Sequence, residues 1–369
     1  MVEAIVAIPV RNEAERIGVC LDALAAQAGV RPGFLGIVLL VNNTTDDTLA
    51  VVEAARPSLP HEVRVIVRDS EDANAGWARR GAMNAAAEWL EASGTSGVVL
   101  TTDADSRVAS DWVARNLLAL AAGADAVAGT VALDPAEAAR LSPALQARGR
   151  SEAEYHVLLD ELAALTDPDP DDPWPNHTVE SGATLAVTLA AYRQVGGMPP
   201  IPLGDDRAFV AKLREHGFKI RHDPSVRVVT SGRLFGRAAG GVADTMRARQ
   251  QDPDCLCDAR LEPFPRALRR LRWRRRLRLL HDGGRLRRHR PWWRLFGTLD
   301  GSDAESFVAA LRTSEIIAAA ERTSERLRFA PLRPSELAGN IEAARAHLER
   351  RRRRLSASGA DPELSDARS

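Results

Sequence analysis

Short apolar runs alternate with longer amphipathic ones through the first third of the chain. "AIVAIPV" (4–10) is continuous enough for a buried strand, and in 12–27 the spacing of Ile17, Leu21 and Leu24 predicts a helix. The same alternation repeats. Strands are predicted over 36–43, 62–69, 97–105 and 124–133, and helices over 46–56, 78–92 and 110–123. Strands alternating with helices predict an α/β fold whose mostly parallel sheet is covered on both faces. Such sheets bind ligands beyond the carboxyl ends of their strands. Asn42–Asn43 and Asp103–Asp105 both fall there.

The rhythm changes after residue 133. Residues 135–165 read as one long helix or two short ones, followed by a Pro- and Asp-rich loop over 166–177. A strand and a helix stopped by Gly-Gly occupy 180–197. A helix with acids at its start covers 204–217, and 219–233 has strand character. Further helices are predicted over 265–281, over 302–328 with a Ser302/Glu305 capping box, and over 335–355. The expected organisation is a catalytic domain over 1–245, a helical Arg-rich extension over 246–355 and a disordered tail over 356–369.

Composition narrows the class. Apolar residues make up 45% of 369, which excludes a globally disordered chain. Formal net charge is zero, so the whole-molecule field favours no polyanion. Locally, 265–290 is strongly cationic and amphipathic, with Leu268, Leu271, Trp273, Leu277 and Leu280 among its arginines. It reads as a packed helix with a solvated basic face or as a peripheral contact with an anionic membrane. No nucleic-acid motif accompanies it, and no nucleic-acid partner is expected. Three cysteines make no disulfide framework, and no signal peptide or membrane-length apolar run is seen. The expected location is cytoplasmic, with the inner membrane face as a peripheral site.

The chemistry concentrates in a few places. Asp103 and Asp105 are one residue apart at the end of an apolar run, a spacing that suits a cation or a solvated turn. Arg79 and Arg80 precede "GAMNAAAEW", and Asp205 and Asp206 open a helix. No GxGxxG turn follows the first strand, so a dinucleotide dehydrogenase is disfavoured. A sugar-1-phosphate nucleotidyltransferase is disfavoured for want of its own Gly-rich loop.

"IPVRNEAERI", "VNNTTDDT", "TTDADS" and, after "SGATLAVTLAAYRQVGG", "LGDDRAF" occur in that order. Together they resemble the GT-A glycosyltransferases of family 2 over roughly residues 3–235. The resemblance implies a Rossmann-like sheet flanked by helices, a nucleotide-diphosphate sugar donor and Mg2+ or Mn2+. It places Asp105 on the metal and Asp103 on ribose or metal-bound water. Pro9, Arg11, Glu13 and Asn42 would frame the base and ribose. Asn42 departs from the family's usual Asp, which loosens the choice of base. Arg80 rather than Arg79 is expected near the nucleotide, and Arg233 or Arg237 near the diphosphate, beside Thr230 and Ser231. Asp206 takes the general-base position and Asp205 that of the preceding acid, which favours an inverting reaction. His222 is expected on the surface, and His177 is a weak candidate for the acceptor. The acceptor is unknown, and relatives often use lipid-linked ones. Alternatives are a retaining transferase on a small acid acceptor and a degenerate, non-catalytic scaffold.

Overall fold

The run 4–10 forms β1 (Ala4–Val10), and its alternate side chains enter two different cores. Ile5 and Ala7 face one side with Val38, Leu40 and the buried residues of α3 (Ala75–Ala92). Val6, Ile8 and Val10 face the other with Leu21 and Leu24 of α1 (Ile17–Ala25) and Trp112 of α4 (Trp112–Ala121). Burial on both faces explains why these strands are continuously apolar. The computed structural model describes residues 2–31, 33–236, 240–285, 312–324 and 327–357.

The sheet has eight strands in the order β3-β2-β1-β4-β7-β6-β8-β5. On its parallel side β1 lies between β2 (Leu35–Val41) and β4 (Val98–Thr101), with β3 (Glu62–Val67) beyond β2. β7 (Leu185–Thr188) runs antiparallel to both β4 and β6 (Ala126–Leu133). β8 (Ile220–Thr230) is parallel to β6, and β5 (Ser106–Val108) pairs antiparallel with β8. Helix α3 approaches the sheet closely: a Cβ on Gly36 would lie 2.6 Å from the Trp89 ring. The remaining helices of this part are α2 (Thr48–Ala55), α5 (Pro135–Ala138), α7 (Leu189–Gln194), α8 (Asp205–Glu215) and α9 (Val242–Gln251).

Several boundaries differ from expectation. The first helix starts at Ile17 rather than 12, because Asn12 takes a left-handed φ of 52° and the chain turns before the helix begins. The strand expected over 97–105 ends at Thr101; Asp103 and Asp105 lie in the connection to β5, a strand the pattern did not reveal. Residues 135–165 split into α5 and the long α6 (Pro143–Thr166), separated by a turn that Ser142 caps.

The contacts divide into two compact units. One comprises Met1–Leu141, His177–Leu213 and Phe218–Arg247 and holds the sheet. The other comprises Ser142–Asn176, Arg214–Gly217 and Ala248–Ser369. Its core joins Tyr155, Leu158 and Leu162 of α6 to Leu271 of α10 (Phe264–Asp282) and to Leu337, Ile341 and Leu348 of the helix Pro334–Ala357. Inward arginines of α10 are paired: Arg270 with Glu262 at 2.7 Å, Arg278 with Asp167 at 3.0 Å, and Arg274 with Asp167 at 3.4 Å. The capping box at Ser302, the Trp292–Trp293 pair, Arg237 and the tail beyond Ala357 lie outside the described residues.

Candidate active site

Two asparagine turns build one end of the site. After β1 and β2, Asn12 and Asn43 adopt φ of 52° and 48°, a conformation Asn tolerates better than most residues. The two turns are laced together. Asn12 accepts from the Thr45 amide at 2.7 Å, and the Glu13 amide donates to Thr48 Oγ1 at 2.8 Å. Asn43 exchanges hydrogen bonds with Ser70, so its role is to tie β2 to the following loop. Asn42 instead is buried and faces a cleft of about 410 Å³ at the carboxyl edge of the sheet.

That cleft brings most of the expected residues together. Pro9, Arg11, Glu13, Asn42, Asp103, Asp105 and Arg233 all line it. Thr230 and Ser231, from the end of β8, line it too. Arg233 forks onto Glu13, with Nη1 to Oε2 at 2.8 Å and Nη2 to Oε1 at 2.5 Å. The same Nη2 lies 3.0 Å from Asp105 Oδ2, which also accepts from Ser231 Oγ at 2.7 Å. Burial works against the Arg233 charge, but Glu13 and Asp105 outweigh it and raise the guanidinium pKa.

Arg80 is not brought in. Its Nη1 donates to the Met198 carbonyl at 2.6 Å, and Arg79 enters the site in its place. Arg79 is buried and spans two acids. Nη2 bonds Asp103 Oδ1 at 2.6 Å, Nε lies 3.3 Å from Asp205 Oδ2, and Nη1 donates to Gly182 O at 2.8 Å. A Cβ on Gly182 would lie 2.4 Å from the guanidinium carbon, so glycine alone admits this approach. Asp103 and Asp105 therefore share a turn but answer to different arginines.

The helix α8 presents its acids differently. Asp205 is buried against Arg79, and burial raises its pKa despite that cation. Asp206 is less enclosed, and backbone amides orient it: Gly182 donates to Oδ2 at 3.0 Å and Arg207 to Oδ1 at 2.7 Å. Neither acid is part of the cleft wall. Both sit behind its rim at Ser181, Ala183 and Pro202.

His222 is buried within β8 rather than exposed, 3.7 Å from Glu180 and with its ring 5.6 Å from that of His177. This corrects the surface position expected for His222: β8 already begins at Ile220 and carries the residue inward. His177 is buried too.

A mostly parallel sheet thus gathers paired carboxylates and two arginines at its carboxyl edge. Residues 5–168 match the family described as Glycosyl transferase family 2. No curated protein matches the chain. Among solved structures, TarS 1–349 of S. aureus in complex with UDP is similar at 16% identity and a TM-score of 0.45, over 63% of this chain and 61% of that one. Its complex with UDP-GlcNAc gives 15% and 0.46, over 65% and 61%. The mannosyltransferase PcManGT from Pyrobaculum calidifontis, in complex with GDP-Man and Mn2+, gives 18% and 0.45, over 99% of this chain and 81% of that one. The chain thus spans about three fifths of the TarS fragment.

Proposed function

We propose that the protein transfers a sugar from a nucleotide-diphosphate donor to an acceptor hydroxyl, with a divalent cation and inversion at the anomeric carbon. The observation that carries this reading is the convergence of Asp103, Asp105, Arg79 and Arg233 in one cleft, with Asp206 held by the Gly182 amide behind the lining residues Ser181 and Ala183. Pro9, Arg11 and Asn42 form the end suited to the base, Asn42 offering a carbonyl acceptor and an amide donor. Arg79 and Arg233 face the diphosphate.

Glu13, Asp103 and Asp105 balance Arg11, Arg79 and Arg233 along the cleft, so a diphosphate brings negative charge that needs a further cation there. Asp103 and Asp105 offer hard oxygen donors. Among the described residues no third His, Cys, Asp or Glu joins them in a metal cluster. That donor set fits Mg2+ or Mn2+, which bind through one or two carboxylates plus substrate phosphates. The ion would supply Lewis-acid charge to the leaving diphosphate.

Asp206 takes the proton from the acceptor hydroxyl. The acceptor oxygen bonds to the anomeric carbon while the bond from that carbon to the phosphate oxygen breaks, releasing the nucleoside diphosphate. General-base help of this kind is worth about 10²–10⁴-fold. Asp205, committed to Arg79, positions rather than abstracts. The acceptor side is apolar. Ile201, Leu203, Phe235 and Val242 are exposed in the loop before α8, the segment after β8 and the start of α9, which supply Pro202, Gly236, Val242 and Ala243 to the cleft. Exposed apolar clusters at a cleft mouth favour an amphiphilic, lipid-type acceptor.

The test is transfer from UDP- and GDP-hexoses to octyl and dodecyl glycosides, with Mn2+ and with EDTA. Transfer should need the metal and favour the longer alkyl chain. Asp206→Asn should lower the rate at least about 100-fold while leaving donor affinity unchanged. Full activity of that variant would overturn the inverting assignment.

A further inference from the structure

The cation site proposed above already has a cationic tenant. Arg233 Nη2 stands 3.0 Å from Asp105 Oδ2 and 2.5 Å from Glu13 Oε1, so one nitrogen bridges both acids. Glu13 and Asp105 are well enclosed, with side-chain exposures of 6% and 14%. The guanidinium thus stands between two enclosed carboxylates and offsets their mutual repulsion. Enclosed like charges repel strongly, so Arg233 helps hold this end of the cleft together.

The surrounding loop holds Arg233 there. Ser231 bonds Asp105 at 2.7 Å, and the Gly232 amide bonds Glu137 Oε2 at 2.6 Å. Glu137 is in turn anchored by Arg16 at 2.7 Å. Three successive residues of the segment after β8 are therefore each fixed to an acid. Arg233 has a second acid in Glu13, to which it is bonded through both terminal nitrogens.

This arrangement sets up an exchange. We infer that Arg233 and the divalent cation compete for Asp105, and that losing Asp105 turns the Arg233 Nη2 donor toward the donor's diphosphate. Glu13 keeps the guanidinium in place throughout, because the fork survives the loss of the third contact. Metal alone must displace a cation and accept a positive neighbour. Metal arriving with a diphosphate instead gives Arg233 a new anionic partner for the ion pair it surrenders. Binding of the two ligands is then mutually reinforcing, which is a coupling free energy between metal and nucleotide. The inference rests on the nucleotide-sugar reading of the cleft and adds the order of preference: metal binds weakly until the diphosphate is present.

The experiment is Mn2+ binding to the full chain, by calorimetry or by the spin-resonance signal of free Mn2+, first alone and then with UDP or GDP. Arg233→Gln should bind Mn2+ alone about tenfold more tightly than the wild type. The same variant should bind the nucleotide with Mn2+ more weakly. Opposite signs in the two arms support the exchange. Arg11→Gln removes a cleft charge that touches neither Glu13 nor Asp105, and it serves as the control for bulk electrostatics. If it tightens Mn2+ as much as Arg233→Gln, or if Arg233→Gln leaves Mn2+ affinity unchanged or weaker, the exchange is overturned. Arg233→Lys keeps the charge without the fork and provides a second reading should the Gln variant fold poorly; it should lie between wild type and Gln. Asp105→Asn separates the two levels. Loss of Mn2+ in that variant upholds the cation site, whereas wild-type Mn2+ binding there overturns the cation site itself.

Discussion

Arg79 and Arg80 are neighbours in sequence but point about 100° apart on a helix. One bridges Asp103 and Asp205, and the other is spent on the Met198 carbonyl. Arg79→Gln leaves Asp205 and Asp103 without their cation in a buried setting. It should destabilise the protein by about 3–5 kcal/mol and abolish nucleotide binding, whereas Arg80→Gln should leave nucleotide affinity within about twofold of the wild type. Chemical unfolding and calorimetry on both variants check this; equal losses at the two positions would contradict the assignment. Sequence could not separate the pair, because the choice depends on Gly182, a hundred residues later, clearing the path for one guanidinium. By contrast Asn42, Asp103 and Asp105 could be read from their places after strands, since a parallel sheet gathers those ends on one edge, whereas Glu13 and Arg233 came from the family resemblance. The histidines were illegible for a related reason: His222 looks like a loop residue beside Pro224, yet β8 continues through it.

At the scale of elements, helix α10 shows what amphipathic spacing does and does not reveal. Leu271, Trp273, Leu277 and Leu280 are buried as the spacing implies. Its arginines, however, divide into two sets that the spacing alone could not distinguish. Arg270, Arg274 and Arg278 pair with acids of the same unit. Arg269, Arg272 and Arg275 are exposed and have no acidic partner among the described residues, and the same holds for Arg350, Arg353 and Arg354 of the helix Pro334–Ala357. The two helices bring arginines together around His347: burial lowers its pKa, and Arg272, Arg350, Arg351 and Arg354 lower it further. We propose this joint face as the peripheral membrane contact. Each arginine near an anionic surface contributes about 1 kcal/mol. Vesicles of mixed neutral and anionic lipid should retain the protein at low salt and release it at high salt. Charge reversal at Arg272, Arg275 and Arg354 together should abolish retention, and undiminished retention by that variant would sink the proposal. Among the described residues no helix is long and apolar enough to cross a membrane.

For the whole molecule, the order of motifs along the chain maps onto one edge of one sheet. The alternation of strands and helices up to residue 133 sufficed to predict the parallel half, because strands buried on both faces are written as unbroken apolar runs. A strand was expected within 180–197 and β7 lies there, but its antiparallel direction escaped the pattern, as did β5, whose three residues are too few for a period to register. The central claim is that this edge binds a nucleotide diphosphate together with a divalent cation through Asp105. The most direct test is thermal unfolding with UDP or GDP, in Mn2+ and in EDTA, for the wild type and Asp105→Asn. A ligand at a hundred times its Kd stabilises by about 2.7 kcal/mol, which would appear as a clear rise in Tm for the wild type with Mn2+. The rise should vanish in EDTA and in Asp105→Asn. No rise with either nucleotide, or an equal rise in EDTA and in the variant, would contradict the account.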